Sequence, residues 1–264
     1  MPFLNERCGI ITISKLIYSL LFLSAALILY MIHNAFRKNV LFHEITTNST
    51  HGKKRSLTLF FISDVHRRKI DKRLLQKIKN EIDIVIIGGD LAERGVPLKR
   101  ISKNVEILSS LAPIYFIWGN NDREVGEEEI RKIIASFNGK ILDNENTPFP
   151  GHPSWGILGT DDPSNGSPDI AATLRNVERY EKTILVTHTP SLFRKVELEF
   201  QPNLLLAGHT HGGQVRIGKF GLFEKGSFKI NDNHAKLISN GFGTTSLPLR
   251  LGAESQCHVI KVHY

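Results

Sequence analysis

The sequence predicts an α/β fold in which many strands pair in parallel. From residue 56 to residue 207, short apolar runs alternate with amphipathic segments of helical period, a pattern typical of βαβ units. Five of the apolar runs are followed within three residues by a carboxylate, amide or imidazole side chain. Because ligands in such sheets bind beyond the carboxyl ends of the strands, we expect the functional site at that edge.

The N-terminal segment predicts a membrane helix. Residues 9–36 are strongly apolar with Lys15 as their clear charge, and residues 16–32 are uninterrupted. A helix needs about 20 residues to cross the hydrocarbon core of a bilayer. No small-x-small cleavage site follows, which favours an uncleaved, single-pass anchor over a signal peptide. More Lys and Arg follow the segment than precede it, which favours a cytoplasmic globular domain.

These features divide the chain into three parts. We expect a membrane anchor over residues 1–38, a polar tether over residues 39–56 and one globular domain over residues 57–264. A domain of this length can bury a substantial core.

The first half of the globular domain contains three strands that alternate with helices. The predicted strands are residues 56–63, 82–87 and 114–118, and the predicted helices are residues 71–80, a helix from Pro97, and residues 127–137. Pro97 starts its helix because proline fits the first turn. The acidic start of the helix at residue 127 suits the helix dipole.

The second half predicts shorter elements. They are strands at residues 140–142 and 155–159, a turn-rich loop at 161–168, a helix at 169–180, strands at 183–187 and 204–207, and then shorter strands and turns.

Charge and cysteine content set only weak bounds on function. The formal charge of +8 and the pI near 9.5 suit an anionic partner such as a phosphate ester, nucleic acid or anionic lipid. Cys8 and Cys257 predict neither a disulfide framework nor a thiolate metal site.

Seven polar residues follow the predicted strands and form a candidate metal site. Singly, each has an ordinary explanation: Asp90 can close a turn, and His188 can be a packed core residue. Together, at successive strand ends, they predict a shared function. The residues are Asp64, His66, Asp90, Asn120, His188, His209 and His211.

The ligand types indicate which ions this site can hold. Oxygen and imidazole ligands without thiolate suit Mn, Fe, Zn, Co or Mg. Seven ligands are too many for one tetrahedral zinc ion, but they suit two divalent ions that share a bridging carboxylate. Such a pair favours hydrolysis of a phosphate ester or anhydride.

The motifs that contain these residues, taken in order, resemble those of the calcineurin-like metallophosphoesterases. They are Asp-x-His at 64–66, Gly-Gly-Asp at 88–90, Gly-Asn-x-Asp at 119–122, His188, and Gly-His-Thr-His-Gly-Gly-Gln at 208–214. The last motif and the tail at 239–245 and 248–250 are similar to a bacterial membrane-associated subgroup. The resemblance runs from residue 57 to the C-terminus and implies two packed mixed β-sheets flanked by helices.

The resemblance also implies a role for each candidate ligand. Asp64, His66 and His211 would hold one ion. Asn120, His188 and His209 would hold the other, and Asp90 would bridge both ions. A metal-bridging hydroxide would attack phosphorus in line, which makes the chain a metal-dependent phosphoric ester hydrolase.

One position departs from the family pattern. The family usually has a histidine after the metal-binding asparagine, where this chain has Asn121. An amide can donate a hydrogen bond but cannot transfer a proton at neutral pH. We therefore expect a preference for good leaving groups, such as those of phosphoanhydrides or aryl phosphates. Asp122 is expected to orient this loop.

Three arginines close to these motifs are candidate substrate ligands. Arg67, Arg68 and Arg123 could clamp phosphate oxygens. The alternative is that they form a solvated basic surface.

The leading hypothesis is therefore a membrane-anchored binuclear phosphoesterase that acts on a phosphodiester or phosphoanhydride, with a lipid-linked substrate. One alternative is a phosphodiesterase for soluble nucleotides or nucleic acid, although no aromatic and basic platform for stacking bases is evident. Another is a non-catalytic scaffold with the same fold. Such a scaffold would not need all seven ligand types. The oligomeric state is left open.

Overall fold

Two six-stranded β-sheets face each other in the globular part of the chain. A computed structural model describes residues 3–47, 55–78, 81–231 and 234–264. The first sheet has the strand order β1-β14-β2-β3-β4-β5, and the second has the order β12-β13-β9-β8-β7-β6. The strands are β1 Asn39–Thr46, β2 Ser56–Ile62, β3 Ile84–Gly88, β4 Ile114–Ile117, β5 Lys140–Ile141, β6 Glu145–Phe149, β7 His152–Thr160, β8 Lys182–Thr187, β9 Leu204–Ala207, β10 Arg216–Ile217, β11 Phe220–Gly221, β12 Ser227–Asn231, β13 His234–Ile238 and β14 Gln256–His263.

Most of the helices are short and lie between the strands. They are α1 Phe3–Ala35, α2 Lys72–Leu75, α3 Leu98–Ser109, α4 Asp122–Val125, α5 Glu127–Ser136, α6 Ile170–Thr173 and α7 Leu192–Glu197, with 3₁₀ turns at Val177–Arg179 and His211–Gly213.

The core between the sheets follows from the alternation of side chains along each strand. In β2, Leu57, Leu59 and Phe61 face the second sheet, while Phe60 and Ile62 pack against the helices on the other side. Every one of these five side chains is fully buried. A strand that is buried on both faces has a mostly apolar sequence without alternation, and the sequence of β2 has this character.

Parallel pairing brings the ends of the central strands to one edge. β2, β3 and β4 pair in parallel in the first sheet, and β7, β8 and β9 pair in parallel in the second. The prediction of an α/β fold with two mixed sheets is therefore confirmed.

The start of the globular part differs from the sequence prediction. Residues 39–46, predicted as part of a polar tether, form β1, which pairs in parallel with β14. The rest of the tether, over residues 48–54, lies outside the described residues. β1 is an edge strand with a mixed polar pattern, and its partner lies more than 200 residues away in the chain. Local sequence carries no signal for such a pairing.

Three other elements also differ from the prediction. The helix expected at residues 71–80 is a single turn, Lys72–Leu75, and residues 79 and 80 lie outside the described part. The helix expected at 169–180 is broken into α6 and a 3₁₀ turn, with Asn176 left-handed between them. The C-terminal strand β14 has eight residues and lies inside its sheet, between β1 and β2.

Helix α1 reaches the sheet at the edge where β2 ends. β14 runs antiparallel to β2, and β1 runs parallel to β14. Asn39, at the start of β1, therefore lies close to the carboxyl end of β2. Arg68, in the loop after β2, donates hydrogen bonds to the carbonyls of Phe36 and Arg37 at the end of the helix.

Candidate metal centre

The loops after five strands place their polar side chains against one another. Asp64 and His66 follow β2, Asp90 follows β3, and Asn120 follows β4. His188 follows β8, and His209 and His211 follow β9. Two groups have ligand atoms that all lie within 4.8 Å of one another, namely Asp64 with His66 and His211, and Asp64 with Asp90 and His188.

The first group matches the residues predicted for one ion. Nε2 of His211 lies 3.1 Å from Nε2 of His66 and 3.3 Å from Oδ1 of Asp64. Asp64 is fully buried, and His66 and His211 are nearly so. Two ring nitrogens and a carboxylate oxygen facing one point in the interior form a suitable ligand set for a divalent cation.

The residues predicted for the other ion, Asn120, His188 and His209, also lie against one another. Nε2 of His188 lies 3.1 Å from Oδ1 of Asn120, and Nδ1 of His209 lies 2.9 Å from the same oxygen. The other ring nitrogen of His188, Nδ1, donates a hydrogen bond of 2.9 Å to the carbonyl of Gly88. This bond fixes the ring and directs Nε2 into the cluster, as neighbouring groups do for metal-binding histidines.

Asp90 lies between the residues predicted for the first ion and those predicted for the second. Its Oδ2 is 3.6 Å from Nε2 of His66 and 3.3 Å from Nε2 of His188. This is the position that a bridging carboxylate needs.

The electrostatics of the cluster favour a cation. Burial alone raises the pKa of a carboxyl, but the neighbouring histidines hold the pKa of Asp64 well below its usual range and that of Asp90 at about 2. Burial lowers the pKa of His188, and the carboxylates of Asp90 and Asp64 overcome it and raise that pKa to about 10. The carboxylates therefore make this buried space strongly attractive to positive charge, whether a proton or a metal ion.

Five of the seven ligand candidates have a left-handed backbone. The φ angles are 55° at Asp64, 52° at His66, 52° at Asp90, 71° at His209 and 49° at His211. Such angles are uncommon outside glycine, and they concentrate at functional sites where surrounding structure enforces them. Here they occur in three loops, those after β2, β3 and β9.

Two glycines of the motifs leave room for the carboxylates. A Cβ at Gly119 would lie 2.3 Å from Oδ1 of Asp90, and one at Gly208 would lie 2.5 Å from Oδ2 of Asp64. Any side chain at either position would displace a candidate ligand, which is why both positions require glycine.

Asn121 and Asp122 hold the loops around Asp90. Asn121 donates from its side-chain amide to Oδ2 of Asp90 at 2.6 Å and from its backbone to Oδ1 at 2.8 Å. Asp122 is fully buried and accepts hydrogen bonds from the backbone N–H groups of Asp90, Ala92 and Gly119. Burial, followed by the Asp90 charge, raises the pKa of Asp122 to about 7. These three hydrogen bonds hold the backbone of the loops after β3 and β4, and the role of Asp122 in catalysis stays a prediction.

The three arginines do not form a common phosphate clamp. The guanidinium of Arg68 is buried and bonded to three backbone carbonyls and to Ser255, so the structure corrects its assignment as a substrate ligand. Arg123 forms a bidentate ion pair with Asp161 at 2.8 and 3.0 Å. Arg67 is largely exposed and pairs with Glu93. A substrate role for Arg67 and Arg123 stays a prediction.

Two residues of this region were not assigned a role from the sequence. Oε2 of Glu93 lies 3.0 Å from Nδ1 of His66, but the angle between them is not that of a hydrogen bond. Arg250 is fully buried, and one of its nitrogens lies 3.2 Å from Nδ1 of His211 while others donate to carbonyls of the surrounding loops. A carboxylate three residues after Asp90 is a weak signal, and the position of Arg250 depends on distant contacts.

Comparison with known proteins identifies the class to which this fold and cluster belong. The family model for calcineurin-like phosphoesterases matches residues 57–213. The chain therefore belongs to the calcineurin-like phosphoesterase family, whose members are metal-dependent phosphoester hydrolases. The matched region contains all seven ligand candidates. Strands β12 to β14 complete both sheets beyond it.

Individual relatives extend this similarity. The chain is 42% identical to the uncharacterized protein YpbG of Bacillus subtilis, over 83% of this chain and 85% of the relative. It is 27% identical to an uncharacterized metallophosphoesterase of Helicobacter pylori, over 79% of this chain and 60% of the relative. It is 26% identical to the transmembrane protein with metallophosphoesterase domain of Bos taurus, over 76% of this chain and 52% of the relative. The chain thus spans only part of the last two proteins.

Proposed function

We propose that this protein is a membrane-anchored, binuclear metallophosphoesterase that hydrolyses a phosphodiester or phosphoanhydride carried by a lipid. The observation that supports two ions is the position of Asp90, whose Oδ2 lies within 3.6 Å of ring nitrogens from both ligand groups. When bound, a pair of divalent ions supplies an activated water and positive charge for the phosphoryl group.

The residues of the chain would prepare the site for this chemistry. Gly88 fixes the ring of His188, and Asp122 fixes the backbone at Asp90 and Gly119. Such preorganisation lets the ligands meet the charge of the transition state without rearranging. Asn121, bonded to Asp90, can donate a hydrogen bond to a substrate oxygen but cannot protonate the leaving group.

Helix α1 supports the membrane part of the proposal. Its residues Ile13–Ala35 have a mean hydropathy of 2.1, and this segment is the one helix among the described residues that is long and apolar enough to span a bilayer. Its side chains project into the surroundings over most of this length, with Tyr18 and Phe22 more than 70% exposed. A buried core helix would not leave such side chains uncovered.

The lipid-linked substrate is supported by the position of the site near the end of helix α1. Helix α1 joins the sheet at the carboxyl edge of β2, and that same edge carries Asp64 and His66. If α1 spans the bilayer, a site at this edge would lie near the membrane surface, where a lipid phosphate would lie. We propose a cytoplasmic site, from the excess of basic residues after the helix.

Metal content and turnover together test this function. Purified full-length protein should retain about two divalent ions per chain, consistent with a bridged pair, and should hydrolyse bis-p-nitrophenyl phosphate and a lipid diphosphate in detergent. The Asp90→Asn variant should keep its fold and lose nearly all activity. A matched control is Glu128→Gln, at an exposed carboxylate of α5 that pairs with Lys132. Unchanged turnover of Asp90→Asn, or none by loaded wild-type protein on any phosphate compound, would refute the proposal.

A further inference from the structure

An exposed apolar surface lies beside the end of helix α1. β10 and β11 form a small antiparallel hairpin, and the side chains on and after it are uncovered. Ile217 is 75% exposed, Phe220 72% and Leu222 88%. We call this set of side chains, together with one from a neighbouring loop, the hairpin surface: Val215, Ile217, Phe220, Leu222, Phe223 and Leu247. Contiguous exposed apolar side chains mark a contact surface for a membrane or another protein.

The hairpin surface is fixed to the last turns of α1 by backbone hydrogen bonds. The N–H of Arg216 donates to the carbonyl of Leu251 at 2.8 Å, and the N–H of Arg250 donates to the carbonyl of Met31 at 3.1 Å. The side chain of Gln214 also holds the loop at Thr245 and Leu247. Ser246 and Pro248, on either side of Leu247, line a cavity of 200 Å³ together with Phe36.

These contacts set the depth of the surface relative to a bilayer. Met31 lies four residues before the end of α1, which corresponds to about 6 Å along a helix axis. If α1 spans the membrane, the loop bonded to Met31 lies at the boundary between headgroups and acyl chains. Side chains such as Phe220 and Leu247 at this level would enter the interface.

Basic residues accompany the apolar ones. Lys219 lies at the turn of the hairpin, and Lys225 and Lys229 follow it; all three are exposed. Near an anionic membrane surface each such side chain adds about 1 kcal/mol, or about fivefold in partitioning. Apolar side chains with flanking lysines are typical of segments that lie in an anionic interface.

The hairpin surface is also joined to the metal centre. One nitrogen of Arg216 donates to the carbonyl of Gly212 at 2.8 Å and to that of Phe223 at 2.9 Å. Gly212 directly follows His211, a candidate ligand. The surface therefore lies next to the site rather than on a remote part of the domain.

We propose that the hairpin surface inserts into the interface of an anionic bilayer and seats the metal centre at the level of lipid phosphates. The proposal rests on the membrane anchoring proposed above. It adds a second point of contact with the bilayer, which would limit tilting of the domain together with α1. Two contacts would hold the mouth of the site against the lipid surface.

Single cysteines that carry an environment-sensitive fluorophore test this contact. We would label Phe220→Cys, and separately Ser136→Cys as the control, in full-length protein carrying Cys8→Ser. Ser136 is exposed at the end of α5, away from the metal-site edge. Cys257 is fully buried, and burial raises the pKa of its thiol to about 12, so it should not take up label.

In vesicles of phosphatidylglycerol and phosphatidylcholine, the label at residue 220 should show blue-shifted emission and lose most of its fluorescence to lipids with a nitroxide on the acyl chain. The label at residue 136 should show neither effect. Replacing Lys219, Lys225 and Lys229 by glutamine should weaken the quenching, as should vesicles of phosphatidylcholine alone.

Two results would overturn the inference. One is a label at residue 220 that remains in water while the protein resists alkaline extraction from the same vesicles. The other is a blue shift without lipid quenching that grows with protein density, which would indicate contact with a second copy. If alkaline extraction instead releases the protein, the anchor itself fails; if the anchored protein lacks turnover, the proposed chemistry fails. The four outcomes are distinguishable.

Discussion

The side-chain amide of Asn121 donates a hydrogen bond of 2.6 Å to Oδ2 of Asp90. The same carboxylate oxygen lies 3.3 Å from Nε2 of His188 and 3.6 Å from Nε2 of His66. The residue that departs from the family pattern therefore contacts the carboxylate on which the two-ion arrangement depends. It can polarise or orient groups at this point, but an amide cannot transfer a proton to a leaving group at neutral pH.

Substituting Asn121 by histidine should change the dependence on the leaving group. Because an imidazole can protonate an alkoxide, we expect Asn121→His to raise kcat/KM for alkyl phosphodiesters by about 10- to 100-fold. Turnover of p-nitrophenyl diesters, whose leaving group needs no proton, should change much less. The comparison is made by steady-state kinetics on a series of esters. Asn121→Gln is the control, since it keeps an amide. Equal effects on both ester types would contradict this reading.

Removing the Asp122 carboxylate should weaken both the fold and the site. Asp122→Ala leaves three buried backbone N–H groups without their acceptor. Each unsatisfied group costs about 1–3 kcal/mol, partly offset here because a costly buried carboxyl is also removed. We expect the free energy of unfolding to fall by about 2–4 kcal/mol in urea titrations. Glu124→Ala, at an exposed carboxylate of the same short helix, should stay within about 0.5 kcal/mol of wild type.

Metal binding should stabilise the folded protein strongly. The ligand cluster exists only in the folded chain, since its members come from five separate loops. An ion at 100 times its dissociation constant adds about 2.7 kcal/mol of stability per site. Chelation should therefore lower the melting temperature, and added Mn²⁺ or Zn²⁺ should restore it. The double variant His66→Ala/His211→Ala should show a smaller restoration. A melting temperature that changes with neither chelator nor added ions would argue against the cluster as a metal site.

The position of Arg68 separates structural from substrate-binding roles. Its buried guanidinium bonds to the end of α1, to Phe242 and to Ser255. Lysine cannot reproduce this fork of donors. Arg68→Lys should thus lower the free energy of unfolding by about 2–3 kcal/mol and leave KM for a p-nitrophenyl diester within about twofold of wild type. A rise in KM of about tenfold or more with unchanged stability would restore Arg68 as a substrate ligand.

The His258 ring should make the fold sensitive to mild acid. It is fully buried, with one ring nitrogen 3.0 Å from His43 and the other 3.0 Å from Ser239. Burial lowers its pKa from 6.5 to about 3 in the folded protein. Because the unfolded chain takes up this proton first as pH falls, stability should decrease between about pH 6.5 and pH 3, by up to about 1.4 kcal/mol per pH unit. Urea titrations across this pH range should show that the free energy of unfolding of His258→Gln depends less on pH than that of the wild-type protein.

The ligand residues could be predicted because each follows a strand that local sequence reveals. The strands before Asp64, Asp90 and His188 are short, mostly apolar and buried along almost their whole length, as parallel strands inside a sheet are. The parallel order then requires their ends to meet at one edge. The orientation of the Arg68 side chain could not be predicted in this way, because it depends on hydrogen bonds to the carbonyls of residues 36, 37 and 242. The same limit applied to β1, which pairs with a strand at the other end of the chain.

The sequence by itself determined the kind of chemistry: which oxygen and nitrogen ligands are present, at which strand ends, and that an apolar helix precedes them. The tertiary structure decided the rest. It placed Asp90 between the two groups of ligands, turned Arg68 away from them, and joined the end of α1 to the edge that carries the site. Strand ends are specified by local hydrophobic patterns, whereas these contacts join residues far apart in the chain and exist only once both sheets have packed.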